Sequence, residues 1–160
     1  DVFMVRKLGF PGHEELAMGA IATGGAITFN QTMVDDLNVD KASIDQVIQL
    51  EQAELSRREQ LYRGKRSCPD FSDKTIILVD DGIATGATIR VAIKALRQYG
   101  PAALIIAVPA AADETCKQLE PLVEDLVCPL NPIDFYAVGY WYDDFSQTTD
   151  EEVINLLDLR

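Results

Sequence analysis

The stretch Ile77-Leu78-Val79-Asp80-Asp81-Gly82-Ile83-Ala84-Thr85-Gly86-Ala87-Thr88 decides the reading of this chain. It closes a continuous apolar, β-branched run, Thr75 to Val79, which predicts a central parallel strand buried on both faces. Two acids cap that strand. A loop of small residues follows, and it runs straight into an amphipathic helix with Ile89, Ala92, Ile93 and Leu96 on one stripe. Gly82 and Gly86 let backbone approach a ligand closely. Thr85 and Thr88 offer hydroxyl donors, and the unpaired N–H groups at a helix start favour a phosphate. Carboxylates accept hydrogen bonds from vicinal sugar hydroxyls. Diol acceptors followed by a phosphate cradle describe a 5-phosphorylated ribose. The plain alternative is an acidic strand-end turn with an ordinary helix cap.

The loop is not a Walker A motif, because no lysine follows its second glycine, and no G-x-G-x-x-G occurs. Outward from it, Gly100-Pro101 stops the helix, and Ala103 to Val108 predicts a second buried strand. Helix and strand signals continue through Lys117–Leu122, Leu126–Cys128 and Thr149–Leu159, where Thr149 and Glu152 match a capping box. Upstream, Asp1 to Val5 reads as a strand and Arg6 to His13 as a loop broken by glycine and proline. Thr23-Gly24-Gly25 predicts a hairpin turn between Ala20-Ile21-Ala22 and Ala26 to Phe29. A long helix follows, with Ser43 and Gln46 as its capping box, Glu54–Arg58 and Glu59–Arg63 as i,i+4 pairs and Gly64 at its end. Strands alternating with helices imply an α/β domain with a mainly parallel central sheet flanked by helices. Such sheets bind ligands at the carboxyl ends of their strands.

Composition narrows the function. The chain has 160 residues, 48% of them hydrophobic, which fits a single globular domain. A balance of 14 basic against 26 acidic residues gives a net charge of −12, unsuited to a nonspecific nucleic-acid or anionic-membrane binder. The longest apolar stretch, Ala102 to Ala112, is too short for a membrane span and contains Pro109. Three widely spaced cysteines, with His13 the sole histidine, suit a reducing cytoplasm better than a disulfide framework or a zinc site. His13 itself reads as a surface residue. Arg57, Arg58, Arg63, Lys65 and Arg66 crowd the end of the long helix; they read as a solvated face or as part of a mobile cover.

The stretch 77–88 resembles the phosphoribosyl-pyrophosphate signature of type I phosphoribosyltransferases: strand, two acids, T-G-x-T, helix. Gly82 departs from the apolar residue that many members carry. The stretches Val5-Arg6-Lys7-Leu8-Gly9, Glu15 to Ala20, and Val138-Gly139-Tyr140-Trp141-Tyr142-Asp143-Asp144-Phe145 are similar to a branch of this family whose acceptor is unsettled. The resemblance implies one domain over residues 1–160, with a small hairpin and helical flap and without the family's earlier strand, pyrophosphate loop and helix. It implies Asp80 and Asp81 on the ribose hydroxyls, Gly82 and Ala84-Thr85-Gly86-Ala87-Thr88 around the 5-phosphate, and Lys7 with Arg6 at the pyrophosphate. Asp80, Asp81 and Lys7 are the expected catalytic residues. Magnesium is expected to arrive with the ligand near Asp80 and Asp81. The expected activity is phosphoribosyl transfer from phosphoribosyl pyrophosphate to a nitrogenous base, by a homodimer. The alternatives are a sensor that keeps the site without turnover, and a hydrolase or phosphorylase of a phosphoribosylated compound. Phe135, Tyr136, Trp141, Tyr142 and Phe145 are candidates for stacking on the acceptor, or for core and dimer contacts.

Overall fold

The computed structural model describes residues 1–29 and 40–158. The chain divides into two compact units, Asp1–Pro69 with Thr148–Arg160, and Asp70–Gln147.

In the first unit, β1 (Val5–Phe10), β2 (His13–Ala22) and β3 (Ile27–Phe29) form an antiparallel sheet in that order. This corrects the sequence reading twice. Asp1 to Met4 precede the strand, and most of the supposed loop from Arg6 is β-structure. Pro11-Gly12 does not break the chain. It turns it, with Phe10 opposite His13 and Gly12 at φ +80. Proline followed by a positive-φ glycine is the pairing that a tight type II turn requires. The turn predicted at Gly24-Gly25 is present, with both glycines at φ +81 and Ile21 opposite Ile27.

Helix α1 (Lys41–Arg63) begins two residues before the expected cap. Asp40 is the N-cap, accepting from the Ser43 N–H at 2.9 Å and from its hydroxyl at 2.6 Å. Aspartate outcompetes serine here because its ionised oxygens take both donors; the two bonds hold its carboxyl below the usual range. Gly64 ends the helix as expected. Leu8, Met18, Ile21 and Leu55 form the buried core, with Ile44, Val47 and Ile48 packed against it. The basic cluster at the helix end is largely engaged within the unit. Arg57 and Arg58 both pair with Glu54 at 2.7 Å. Arg63 is buried, and donates to Asp1, Glu59 and the carbonyl of Val2. Helix α4 (Asp150–Asp158) opens on the expected Thr149–Glu152 capping box, and Asp150 accepts from Tyr62. Leu159 lies outside the described residues.

In the second unit, β4 (Thr75–Val79), β5 (Ala103–Ala107) and β6 (Asp125–Val127) form a parallel sheet in that order. The connections are α2 (Ala87–Arg97) and α3 (Asp113–Leu119). Leu104 and Ile106 are fully buried, as is Leu96 of α2, and Ala92 and Ile93 beside it are buried. One sequence expectation fails. β5, not β4, is central among the described strands, and Ile77 and Val79 are 59% and 70% exposed. An unbroken apolar run fixes a strand's length but not its place in a sheet. Pairing continues past the strand ends through the bridges Ile83–Ala111 and Ala110–Leu130. Among the described residues, no helix is long and apolar enough to cross a membrane.

Candidate phosphate and sugar site

The second unit assembles the loop after β4 at the carboxyl end of its parallel sheet. Asp80 follows the last strand residue and is half-buried; Asp81 is exposed. The Asp81 N–H donates to Asp80 Oδ1 at 3.1 Å. Burial raises the Asp80 carboxyl above its ordinary value, and the neighbouring Asp81 charge adds to the rise.

Beyond the acids, the backbone is committed in an orderly way. The Ile83 N–H donates to the Ala110 carbonyl, and the Ile83 carbonyl accepts from the Ala112 N–H, each at 3.0 Å. The buried Ile83 side chain anchors the loop to the sheet. Gly86 adopts a left-handed conformation, φ 72 and ψ 9, immediately before α2. A Cβ there would lie 2.8 Å from the Thr115 methyl, so conformation and space both require glycine. The N–H groups of Thr85, Gly86, Ala87 and Thr88 have no acceptor among the described residues. They surround the start of an 11-residue helix, where unpaired N–H groups and the helix dipole attract an anion. Asp80, Gly82, Thr85, Gly86, Thr88 and Val138 are among the residues lining the resulting cavity of about 210 Å³. The Asp80 carboxylate and the unpaired N–H groups therefore share one small concavity.

The glycine at position 82 has a steric cause. A Cβ at position 82 would lie 2.7 Å from Val138 Cγ1 and 2.9 Å from the Ala110 carbonyl. Two further holding contacts have no local sequence signal. Tyr142 donates its hydroxyl to the Asp81 carbonyl at 2.7 Å, and Thr115 donates to the Ala84 carbonyl at 2.7 Å. Their partners are 61 and 31 positions away in sequence.

The other expected site residues lie in the first unit. Arg6 is ion-paired with Glu51 at 2.5 Å. Lys7 is exposed, opposite Ala20 in the sheet. Both border a separate cavity of about 620 Å³ between β1 and α1. His13 is exposed at the start of β2.

The late aromatics divide. Phe135 stacks on Trp141 with centroids 6.1 Å apart, and Phe145 packs on Gly139 and Tyr142. The Trp141 indole N–H is buried without an acceptor among the described residues. Tyr136 and Tyr140 are 79% and 70% exposed.

The described residues contain no cluster of three or more histidine, cysteine or acidic side chains able to cage a metal. Two adjacent carboxylates, one of them half-buried, do fit a magnesium ion that keeps its waters and arrives on a ligand's phosphates.

The loop thus sets an acid pair and an N–H cradle at the carboxyl end of a parallel sheet. The chain belongs to the phosphoribosyl transferase domain family, which matches residues 13–143. It is 38% identical over 158 residues to "Putative phosphoribosyl transferase Rv0571c" of Mycobacterium tuberculosis, covering 99% of this chain and 36% of that protein. The chain thus spans about a third of the length of that curated relative. The crystal structure of TT1426 from Thermus thermophilus is similar, with a TM-score of 0.81 and 34% identity over 98% of this chain and 74% of that one. The "Bifunctional protein PyrR" of Pasteurella multocida is 41% identical over 78 residues, 46% of this chain and 43% of that protein. The fold is the α/β fold of the type I phosphoribosyltransferases, with its parallel sheet and helices.

Proposed function

We propose that the protein binds 5-phosphoribosyl 1-pyrophosphate with magnesium and transfers the phosphoribosyl group to a nitrogenous base. The observation that carries this is the acid pair leading directly into an N–H cradle without acceptors among the described residues, with Asp80 and the cradle lining one cavity of about 210 Å³. Asp80 and Asp81 accept the ribose hydroxyls, and Gly82 and Ala84 to Thr88 hold the 5-phosphate. Transfer breaks the bond between ribose C1 and pyrophosphate while a base nitrogen forms its bond to C1. Positive charge grows on the ring, and the ionised acids stabilise it. Magnesium, when bound, neutralises charge on the leaving pyrophosphate. Lys7 keeps the pyrophosphate role that the family resemblance gives it, whereas the Glu51 pairing weakens the case for Arg6. Positioning and charge account for the chemistry without a covalent intermediate. Tyr136 and Tyr140 are the exposed aromatic faces suited to stacking on the base. A homodimer in a reducing cytoplasm belongs to the same proposal.

Calorimetric titration with phosphoribosyl pyrophosphate and magnesium tests it, beside an Asp80→Ala/Asp81→Ala variant. Binding that vanishes in the variant supports the site. A well-folded protein that binds nothing overturns it.

A second reading is a regulator that senses the same ligand without turnover. Similarity to a protein named as bifunctional favours keeping it. Ligand binding without pyrophosphate release, across a panel of bases, would select it. Pyrophosphate or phosphate release with no base added would instead mark a hydrolase or phosphorylase.

A further inference from the structure

We infer that Tyr142 and Thr115 are positioning residues for the sugar-phosphate loop, acting by withdrawing its carbonyl oxygens from the ligand. The inference rests on the reading of that loop given above.

An anion cradle needs N–H groups facing the ligand and carbonyl oxygens facing elsewhere. In a trans peptide the carbonyl of one residue and the N–H of the next point in opposite directions. Whatever holds a carbonyl therefore aims the following N–H. Three carbonyls of this loop are held by the rest of the second unit. Asp81 is held by the Tyr142 hydroxyl, Ile83 by the Ala112 N–H and Ala84 by the Thr115 hydroxyl. The first turns the Gly82 N–H away from Tyr142, and the last turns the Thr85 N–H away from Thr115. Gly82 and Thr85 line the cavity, whereas Tyr142 and Thr115 do not. The two hydroxyls thus grip the loop from outside the space where a phosphate would sit.

The alternative arrangement is costly. If either peptide rotated, an unpaired carbonyl oxygen would face phosphate oxygens, and the loop already carries the Asp80 and Asp81 charges. Thr115 is 8% exposed, and its methyl packs against Gly86, so its rotamer is fixed on both sides. Tyr142 comes from the aromatic tail, so the segment nearest the proposed acceptor also sets the ribose end of the loop. The hydroxyls contribute by orientation, without touching substrate.

The test is calorimetric titration of the protein with ribose 5-phosphate. It compares wild type with Tyr142→Phe, Thr115→Val and Thr115→Ser, each checked for folding by circular dichroism. Tyr142→Phe and Thr115→Val each remove a hydroxyl and keep the shape. Each is expected to weaken binding by about three- to tenfold, the range set by one net hydrogen bond. Thr115→Ser keeps the hydroxyl and is expected to stay within about twofold of wild type, a rescue that lost packing alone would not give. Wild-type binding that is unchanged in both hydroxyl-deleted variants overturns this inference alone. Equal losses in Thr115→Ser and Thr115→Val assign the effect to packing and overturn the role of Thr115. If Thr115→Val fails to fold, the exposed position Tyr142 decides. A wild-type protein that binds neither ribose 5-phosphate nor phosphoribosyl pyrophosphate overturns the site itself, and this inference with it.

Discussion

Val138 occupies the space that a side chain at Gly82 would need, its Cγ1 only 2.7 Å from where that Cβ would stand. The contact joins the turn Val138–Trp141 to the acid loop. Gly82→Ala is therefore expected to destabilise the protein by about 1–3 kcal/mol, as overpacking of a filled site does. Val138→Ala in the same chain should recover part of that loss but not all, because the Ala110 carbonyl stays 2.9 Å away. Chemical denaturation of the two single variants and the double variant measures the coupling. Strict additivity would contradict the contact.

Asp80 couples stability to pH in the direction opposite to most carboxylates. Burial and the Asp81 charge raise its ionisation above the ordinary value. A raised folded-state value means that protonation favours the folded chain. The stabilisation is present at low pH and is lost as pH rises through that ionisation. Asp80→Asn should therefore raise the melting temperature at neutral pH, with the gain over wild type shrinking on acidification. The same change should abolish sugar-phosphate binding if the ionised carboxylate accepts the hydroxyls. Melting curves and titrations at matched pH check both halves.

Arg63 should be the most damaging of the basic cluster to lose. Its side chain is 5% exposed and serves Asp1, Glu59 and the Val2 carbonyl. Arg63→Met is expected to cost about 2–3 kcal/mol. That is below the full cost of breaking a buried pair, since the acids left behind are partly solvated. Arg57→Met, at the exposed end of a surface pair, should cost less than about 1 kcal/mol. Equal losses at the two positions would contradict the burial difference.

Thiol chemistry gives an independent check on the second unit. Cys116 is buried on α3, and burial, with Cys128 beside it, pushes its thiol up to about 11. Thiolate at Cys116 is therefore scarce at pH 8. An alkylating reagent at that pH should modify exposed Cys68 first and Cys116 last, with Cys116 released by denaturant. Mass spectrometry of digested samples follows the order. Early labelling of Cys116 would mean that α3 opens readily.

Local signals carried much of this structure. Thr75 to Val79, the small-residue loop and the apolar stripe of Ile89, Ala92, Ile93 and Leu96 each imply their element. Gly24-Gly25 and Gly64 mark a turn and a helix end because only glycine takes those backbone angles cheaply. Elsewhere a local signal is ambiguous. Pro11-Gly12 serves equally well to break a chain or to turn a hairpin, and pairing of Phe10 with His13 decides it. Ser43 has the spacing of a cap, but Asp40 reaches its N–H and hydroxyl first. The exposure of Ile77 and Val79 depends on what stacks on β4, which an apolar run cannot report. The acids and the phosphate loop are legible as a contiguous motif. Thr115 and Tyr142 are not, because their role exists only once distant segments meet the loop carbonyls.

The backbone bonds that flank this loop give it an uneven rhythm of solvent exchange. The Ile83 N–H, locked on Ala110, should exchange its hydrogen slowly, as a strand amide does. Two residues on, the amides from Thr85 to Thr88 have no such lock among the described residues and should exchange quickly. A bound phosphate would slow those four and leave Ile83 as it was, so the ligand would write its own outline in deuterium.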